Sequence, residues 1–281
     1  MTLTITLLGT GNPIPDPNRA GPATLVAGAG TTLLVDCGRG AVMRLAGAGV
    51  MPPMLDAVLI THLHSDHLTD LNDVITSHWV LSMQPTTLRI YGPPGIGEVV
   101  DAIVASLRFD IGYGLAHHDD LTWEPLLEVT ELKPGAQFTA GAAAITVGRT
   151  NHFPVEPAIG FRVEQDGAAV AIAGDSIPCD GLDALCAGAG AYVQTVIRDE
   201  LVRQIPVARL QDILDYHSSI AQAAGTAERA GVGILVLTHY VPSPPPDGLD
   251  DWVAIAAEHF SGTIVAGDDL TAVTVTASDS P

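Results

Sequence analysis

The stretch Thr61-His62-Leu63-His64-Ser65-Asp66-His67 places three imidazoles and one carboxylate within seven residues. It directly follows the apolar run 57–60, Ala-Val-Leu-Ile, which is typical of a buried strand. Neutral imidazole nitrogen and carboxylate oxygen suit a borderline ion such as zinc better than they suit calcium or magnesium. Because the whole chain of 281 residues has only ten histidines, chance rarely places three of them beside an aspartate. We therefore predict a metal site at the end of this strand.

Three further ligand candidates follow later apolar runs. His152 comes after the run that ends at Val147, Asp175 after the run 168–173, and His239 after the run 234–237. Side chains at strand ends are held by a rigid scaffold and can converge on one cleft, although a single Asp or His there is more often a solvated loop residue. Each candidate is therefore weak alone and gains weight from its place in the order of the chain.

This order resembles that of the metallo-β-lactamase-fold hydrolases, in which His-x-His-x-Asp-His is followed by a single His, an Asp and a last His. Three shorter stretches are similar to the ribonuclease Z and arylsulfatase-like branch: Leu8-Gly9-Thr10-Gly11, Val35-Asp36-Cys37-Gly38 and Leu237-Thr238-His239. The resemblance covers nearly the whole chain. It implies an α/β (α+β) fold, namely a four-layer αββα sandwich of two mixed sheets flanked by helices, as a single domain over 1–281.

The resemblance also implies a metal-dependent hydrolase with a dinuclear centre. One zinc ion would bind His62, His64 and His152, a second would bind Asp66, His67 and His239, and Asp175 would bridge both. Two ions about 4 Å apart can share a hydroxide, lower its pKa toward neutrality and use it to attack the substrate. Manganese or iron could replace zinc, because geometry and availability decide between them.

Two residues outside the ligand set are predicted to assist. Asp36 would orient a ligand imidazole, although an ordinary turn residue is an equal alternative. In ribonuclease Z-like proteins a His followed by Ser or Thr lies where this chain has His217-Ser218-Ser219. His217 is therefore expected to act with Asp66 and Asp175 in catalysis, as a general acid or by holding an oxyanion. Members of the branch commonly carry a His-Glu pair where this chain has Gln194 and Thr195, and this difference weakens the case for His217.

The charge of the chain indicates which classes of partner it can bind. Twelve Lys and Arg stand against 32 Asp and Glu, a formal net charge of -20, which repels phosphate backbones and anionic membranes. The N-terminus lacks the organisation of a signal peptide, no run is long enough to cross a bilayer, and three cysteines without a Cys-x-x-Cys pair fit a reducing compartment. We predict a cytoplasmic protein without nucleic-acid or membrane partners, and a homodimer by resemblance.

The segment 108–125 loses helical periodicity and gathers aromatic residues, so we predict a lid or arm there. It would form an apolar pocket over the metals, with Arg108 facing an acidic substituent; an equal alternative is that Phe109 and Trp123 only pack the arm onto the domain. The candidate lining residues are Phe109, Tyr113 and Trp123, with His117 and His118 as further candidates.

These features favour a small-molecule substrate, with a carboxylic ester or lactone as the preferred bond. Only 22 residues separate His152 from Asp175, which leaves no room for the long glycine-rich arm that many tRNA 3′-processing members of the branch place there. The alternatives are a phosphodiesterase or arylsulfatase of the same branch, and a non-catalytic metal-binding protein. The last would require a lost ligand, and none of the seven is missing.

Overall fold

The structure, a computed structural model, describes residues 2–245 and 247–277. Its strands form two seven-stranded mixed sheets. The first sheet contains β1 (Thr2–Gly9), β2 (Ala23–Gly28), β3 (Thr31–Val35), β4 (Ala57–Leu59), β5 (Thr87–Gly92) and β6 (Leu126–Glu131). The second contains β7 (Gln137–Ala140), β8 (Ala143–Arg149), β9 (Ile159–Gln165), β10 (Ala168–Ile172), β11 (Ala191–Ile197), β12 (Ile234–Val241) and β13 (Thr263–Ala266). The chain then returns to the first sheet, where β14 (Ala272–Thr276) pairs antiparallel with β1.

Eight α-helices lie between these strands in the described residues. They are α1 (Ala41–Gly47), α2 (Leu71–Leu81), α3 (Ile96–His117), α4 (Asp180–Cys186), α5 (Asp199–Val202), α6 (Ala208–Gln211), α7 (Ile220–Ala230) and α8 (Leu249–Ala257). None of the helices among residues 2–245 and 247–277 combines the length and the apolar character that crossing a membrane requires.

The strand β10 shows why the sheets stack into layers. Its side chains alternate between two faces, as in any strand. Ala168, Val170 and Ile172 enter the core between the two sheets, whereas Ala169 and Ala171 enter a second core beneath α4, α7 and α8. A third core lies between the first sheet and α1, α2 and α3. Both faces of each sheet are therefore covered, which gives uninterrupted apolar strands and confirms the predicted four-layer sandwich.

The helix α3 differs from its prediction. The sequence indicates a helix over 98–107 followed by an irregular lid from Arg108, but α3 continues to His117. Gly114 lies within this helix, at a point where a Cβ would lie 2.8 Å from Cη2 of Trp79. The glycine is thus explained by close packing against α2, which outweighs its low helix propensity. The irregular part of the predicted arm shrinks to residues 118–125, where the Trp123 carbonyl accepts a hydrogen bond from Nε1 of Trp79 at 2.7 Å.

Candidate active site

The seven predicted ligands converge beyond the ends of β4, β8 and β10 and within the last residues of β12. The carboxylate of Asp175, three residues beyond β10, lies at the middle of the cluster. Its Oδ2 is 3.7 Å from Nε2 of His62, 3.5 Å from Nε2 of His67, and 3.8 Å from Nε2 of both His152 and His239. Four rings from both sheets therefore surround one carboxylate oxygen.

Three groups of donor atoms within this cluster could each hold an ion. The first is His62, His64, His152 and Asp175, the second is Asp66, His67 and His239, and the third is Asp175, His217 and His239; within each group the donor atoms lie within 4.8 Å of one another. The first two groups coincide with the two ion sites that the resemblance implies, and Asp175 lies close to rings of both.

The first four candidate ligands lie on a tightly held turn. After β4, a single 3₁₀ turn over Ser65–His67 brings Asp66 and His67 inward, and both are buried. The backbone N–H of Cys37 donates to the carbonyl of His67 at 2.8 Å. Gly38 allows this approach, because a Cβ there would lie 2.5 Å from the carbonyl oxygen of Asp66. The glycine-containing stretch 35–38 is thus explained by close backbone packing behind the ligands.

Hydrogen bonds on the outer ring nitrogens fix three of the imidazoles. Nδ1 of His67 lies 2.8 Å from Oδ2 of Asp36, and Nδ1 of His152 lies 2.9 Å from the carbonyl oxygen of Tyr216. Nδ1 of His62 lies 3.0 Å from Oγ1 of Thr61, whose hydroxyl also lies 2.8 Å from Asp36. Such partners set the ring orientation and the tautomer of metal-binding histidines. The sequence reasoning missed Thr61, although a hydroxyl directly before the first histidine was visible.

The inner atoms of these residues fit a divalent metal. Nε2 of His62, Nε2 of His67 and Oδ1 of Asp175 are buried and have no hydrogen-bond partner. Unsatisfied buried polar atoms are rare and call for an explanation such as a bound ion. Imidazole nitrogens and carboxylate oxygens are also the donors that zinc-type ions take. The structure therefore supports a divalent metal centre.

The cluster shifts the pKa values of its members in opposite directions. Burial lowers the pKa of His152 to about 4, and it lowers the pKa of His62. Burial also opposes the charged form of His67, but the carboxylates of Asp175 and Asp36 outweigh it and raise the pKa of that ring. Burial raises the pKa of Asp175, but the imidazoles of His239 and His67 lower it by more, so its pKa is well below the usual range. The central carboxylate is consequently ionised at neutral pH, as a metal ligand must be.

His217 lies in the same cluster. Its Nε2 is 3.1 Å from Oδ2 of Asp175, and its Nδ1 is 3.3 Å from the carbonyl oxygen of Ile213. Nδ1 therefore faces the backbone of Ile213, and Nε2 faces the centre.

The residues that replace the His-Glu pair have a structural place nearby. Oγ1 of Thr195 donates to the carbonyl of Gly174 at 3.1 Å. The buried amide of Gln194 donates to the carbonyl of Thr195 at 2.8 Å, and its oxygen accepts from the hydroxyl of Tyr192. These side chains support the turn that carries Asp175. Gln194 and Thr195 therefore fill the place of the His-Glu pair with hydrogen-bonded side chains.

The predicted lid residues are not brought to the centre. Phe109 and Tyr113 are 59% and 71% exposed on α3, and the guanidinium of Arg108 lies over the ring of Phe109 at 4.2 Å. Tyr113, His117 and His118 line a cavity of about 290 Å³ against α2, and none of the seven ligands lines it. In the described residues these side chains do not form a pocket over the metals.

Comparison with known proteins identifies the family. The profile of the beta-lactamase superfamily domain matches residues 31–240. Ribonuclease Z of Mycolicibacterium gilvum is 55% identical over 273 residues, 96% of each chain. Ribonuclease Z of Mycobacterium tuberculosis is 53% identical over 275 residues, 97% of this chain and 98% of the relative.

Solved structures agree on the fold. The metallo-beta-lactamase fold protein YhfI from Bacillus subtilis has a TM-score of 0.74 at 24% identity, covering 97% of this chain and 99% of its own. The short form of human tRNase Z has a TM-score of 0.70 at 23% identity, covering 96% and 98%. At these identities the likeness concerns the fold alone.

These relatives correct two predictions. The expectation of a small-molecule ester or lactone substrate is wrong, and so is the expectation of no nucleic-acid partner, because relatives more than half identical over nearly the full length are named ribonuclease Z. Net charge misled the prediction because it averages the whole surface, whereas a substrate contacts only part of it. The predicted enzyme class is confirmed. The chain belongs to the beta-lactamase superfamily, with relatives named ribonuclease Z, and it is a metal-dependent hydrolase.

Proposed function

We propose that this chain is a ribonuclease that hydrolyses a phosphodiester bond at the 3′ end of precursor tRNA, using two zinc ions held in the cluster around Asp175. The observation that carries the proposal is the near full-length similarity to relatives named ribonuclease Z. The complete set of seven candidate ligands supports it, since a relative that had lost the activity would be free to lose ligands.

The donor atoms suggest how the ions would be shared. His62, His64 and His152 would hold one ion, Asp66, His67 and His239 the other, and Asp175 both. Two such ions supply activation of water and neutralisation of charge on the phosphate oxygens. The single negative charge of Asp175 would also reduce the repulsion between two dications.

His217 is the residue we propose for proton transfer. When a phosphodiester is hydrolysed, the new P–O bond forms to the water oxygen, the P–O bond to the leaving oxygen breaks, and the leaving oxygen takes up a proton. Nε2 of His217 faces the centre and is held there through its Nδ1 contact to Ile213 and its own contact to Asp175. A positioned imidazole is suited to deliver that proton.

The acidic composition is compatible with an RNA substrate because, in the part of the chain that the structure describes, some arginines form ion pairs with carboxylates and others do not. Seven arginines form ion pairs with carboxylates, and examples are Arg44 with Asp269 and Arg229 with Asp183. Arg149 is exposed at the end of β8, three positions before His152, and no ion pair with a carboxylate is found for it within residues 2–245 and 247–277. Among the described residues, Arg149 thus offers an unpaired positive charge to an RNA phosphate on an otherwise acidic surface.

A cleavage assay tests the proposal. Zinc-loaded protein should cut a precursor tRNA that carries a 3′ trailer at one position, and Asp175→Ala should abolish cleavage because both ion sites lose a ligand. Asp101→Ala, an exposed aspartate on α3, is the matched control and should cleave normally. An intact precursor after incubation with protein that retains two ions per chain would refute the proposal. We also propose that the protein is cytoplasmic and that it forms a homodimer.

A further inference from the structure

Two aromatic side chains flank the ligand His152. The ring of Tyr216 meets the ring of His152 edge to face, with centroids 5.2 Å apart, and its centroid is 4.9 Å from that of His217. Phe153 is the next residue after His152, and its side chain is 69% exposed. One aromatic ring therefore packs on the centre and the other projects from the adjoining turn.

The position of Tyr216 is fixed by the centre itself. Its carbonyl oxygen accepts the hydrogen bond from Nδ1 of His152, and the neighbouring Ser218 donates from its backbone to the carbonyl of Ser176 at 3.0 Å. The tyrosine ring is still partly exposed. It is thus an ordered aromatic surface at the edge of the ligand cluster, with little freedom left to lose when something binds to it.

Phe153 is held at the corner of a tight turn. The backbone N–H of Val155 donates to the carbonyl of His152 at 2.9 Å, and the backbone N–H of Phe153 lies 3.4 Å from Oδ1 of Asn151. Phe153 belongs to none of the apolar cores of the described residues. A single exposed apolar side chain is ordinary, but this one is a phenyl ring joined to a metal-ligand candidate by one peptide bond.

We propose that Phe153 and Tyr216 form a nucleobase subsite, on which a base next to the cleaved phosphodiester stacks. The inference rests on the proposed ribonuclease function and adds a contact to it. Single-stranded RNA places unstacked bases on both sides of each phosphate, and aromatic side chains bind such bases by stacking with little sequence preference. An acidic protein gains most from this contact, because stacking does not depend on phosphate charge.

The test combines variants of the protein with abasic RNA. The zinc-loaded enzyme, Phe153→Ala and Tyr216→Ala are compared on precursor RNA that is intact or lacks the base on one side of the cleaved bond, one side at a time. We expect each variant to raise KM for intact RNA by about 5- to 100-fold, and to leave KM unchanged for the RNA that lacks the stacked base. Tyr216→Phe should retain nearly the full affinity, and Phe109→Ala, which removes an exposed ring on α3, should change nothing.

A second measurement separates stacking from a structural role. Rapid mixing of zinc-loaded enzyme with RNA that carries 2-aminopurine beside the cleaved bond should give fluorescence quenching before cleavage, and both alanine variants should reduce it. Equal KM losses on intact and abasic RNA at both positions, or no loss at all, would overturn the subsite while leaving the proposed function intact. An absence of RNA cleavage by the unmodified enzyme would overturn both.

Discussion

Replacing Gly174 by alanine tests the packing that positions the first ligands. Gly174 precedes Asp175 and has a φ of 65°. A Cβ there would lie 2.5 Å from Oγ1 of Thr61, the hydroxyl that contacts both Asp36 and Nδ1 of His62. The left-handed conformation costs an alanine about 1–2 kcal/mol, and forcing extra atoms into a packed site costs about 1–3 kcal/mol more. We expect Gly174→Ala to lower the free energy of unfolding by about 2–5 kcal/mol.

Gly231→Ala is the matched control. Gly231 ends α7 with a φ of 66°, and no heavy atom lies within 4 Å of the position that an alanine methyl group would take there. It should therefore show the conformational cost alone, about 1–2 kcal/mol. Urea unfolding of the chelator-treated proteins measures both losses without a contribution from bound metal. A difference of less than about 0.5 kcal/mol between the two variants would contradict the proposed close packing of Gly174 against Thr61.

Three further changes probe the centre. Asp36→Asn removes the carboxylate beside His67 and should weaken metal affinity by about 10- to 100-fold in a chelator titration; unchanged affinity would remove Asp36 from the site. His217→Ala should retain the metal content and lower turnover by about 100-fold or more, and normal turnover would exclude it from proton transfer. Burial lowers the pKa of His152 to about 4. Between about pH 6.5 and 4, the unfolded chain therefore binds a proton at this imidazole and the folded chain does not. Its contribution to stability is therefore present above about pH 6.5 and lost as the pH falls toward 4. Unfolding of the metal-free protein should accordingly depend less on pH in this window for His152→Gln, and an identical pH dependence would contradict the assignment.

The sequence predicted the candidate ligands where the residue types suit a metal and their order along the chain matches the family. His62, His64, Asp66 and His67 are adjacent, so their joint role was visible without any knowledge of the fold. His152, Asp175 and His239 became candidates because strand ends share an edge of a sheet, and the structure brings all three to the first cluster.

Other features depend on packing that a linear pattern does not encode. The continuation of α3 to His117 includes Gly114, which packs closely against Trp79 of another helix. The contact of Tyr216 with His152 joins residues 64 positions apart. The substrate was mispredicted for a related reason, since a total of charges contains no information about which arginines are already paired with carboxylates.

The two ligand groups draw on distant parts of the chain. Asp66 and His239, whose side-chain atoms lie 3.2 Å apart, are 173 positions apart in sequence. During synthesis, the first four candidate ligands would therefore leave the ribosome long before the last one has been added to the chain. Under the proposed assignment of ligands, a full complement of ions would be captured only after β12 has joined the second sheet. Metal content would then report on the completion of folding, and a chain truncated before His239 would be expected to take up less metal even if its first sheet were formed.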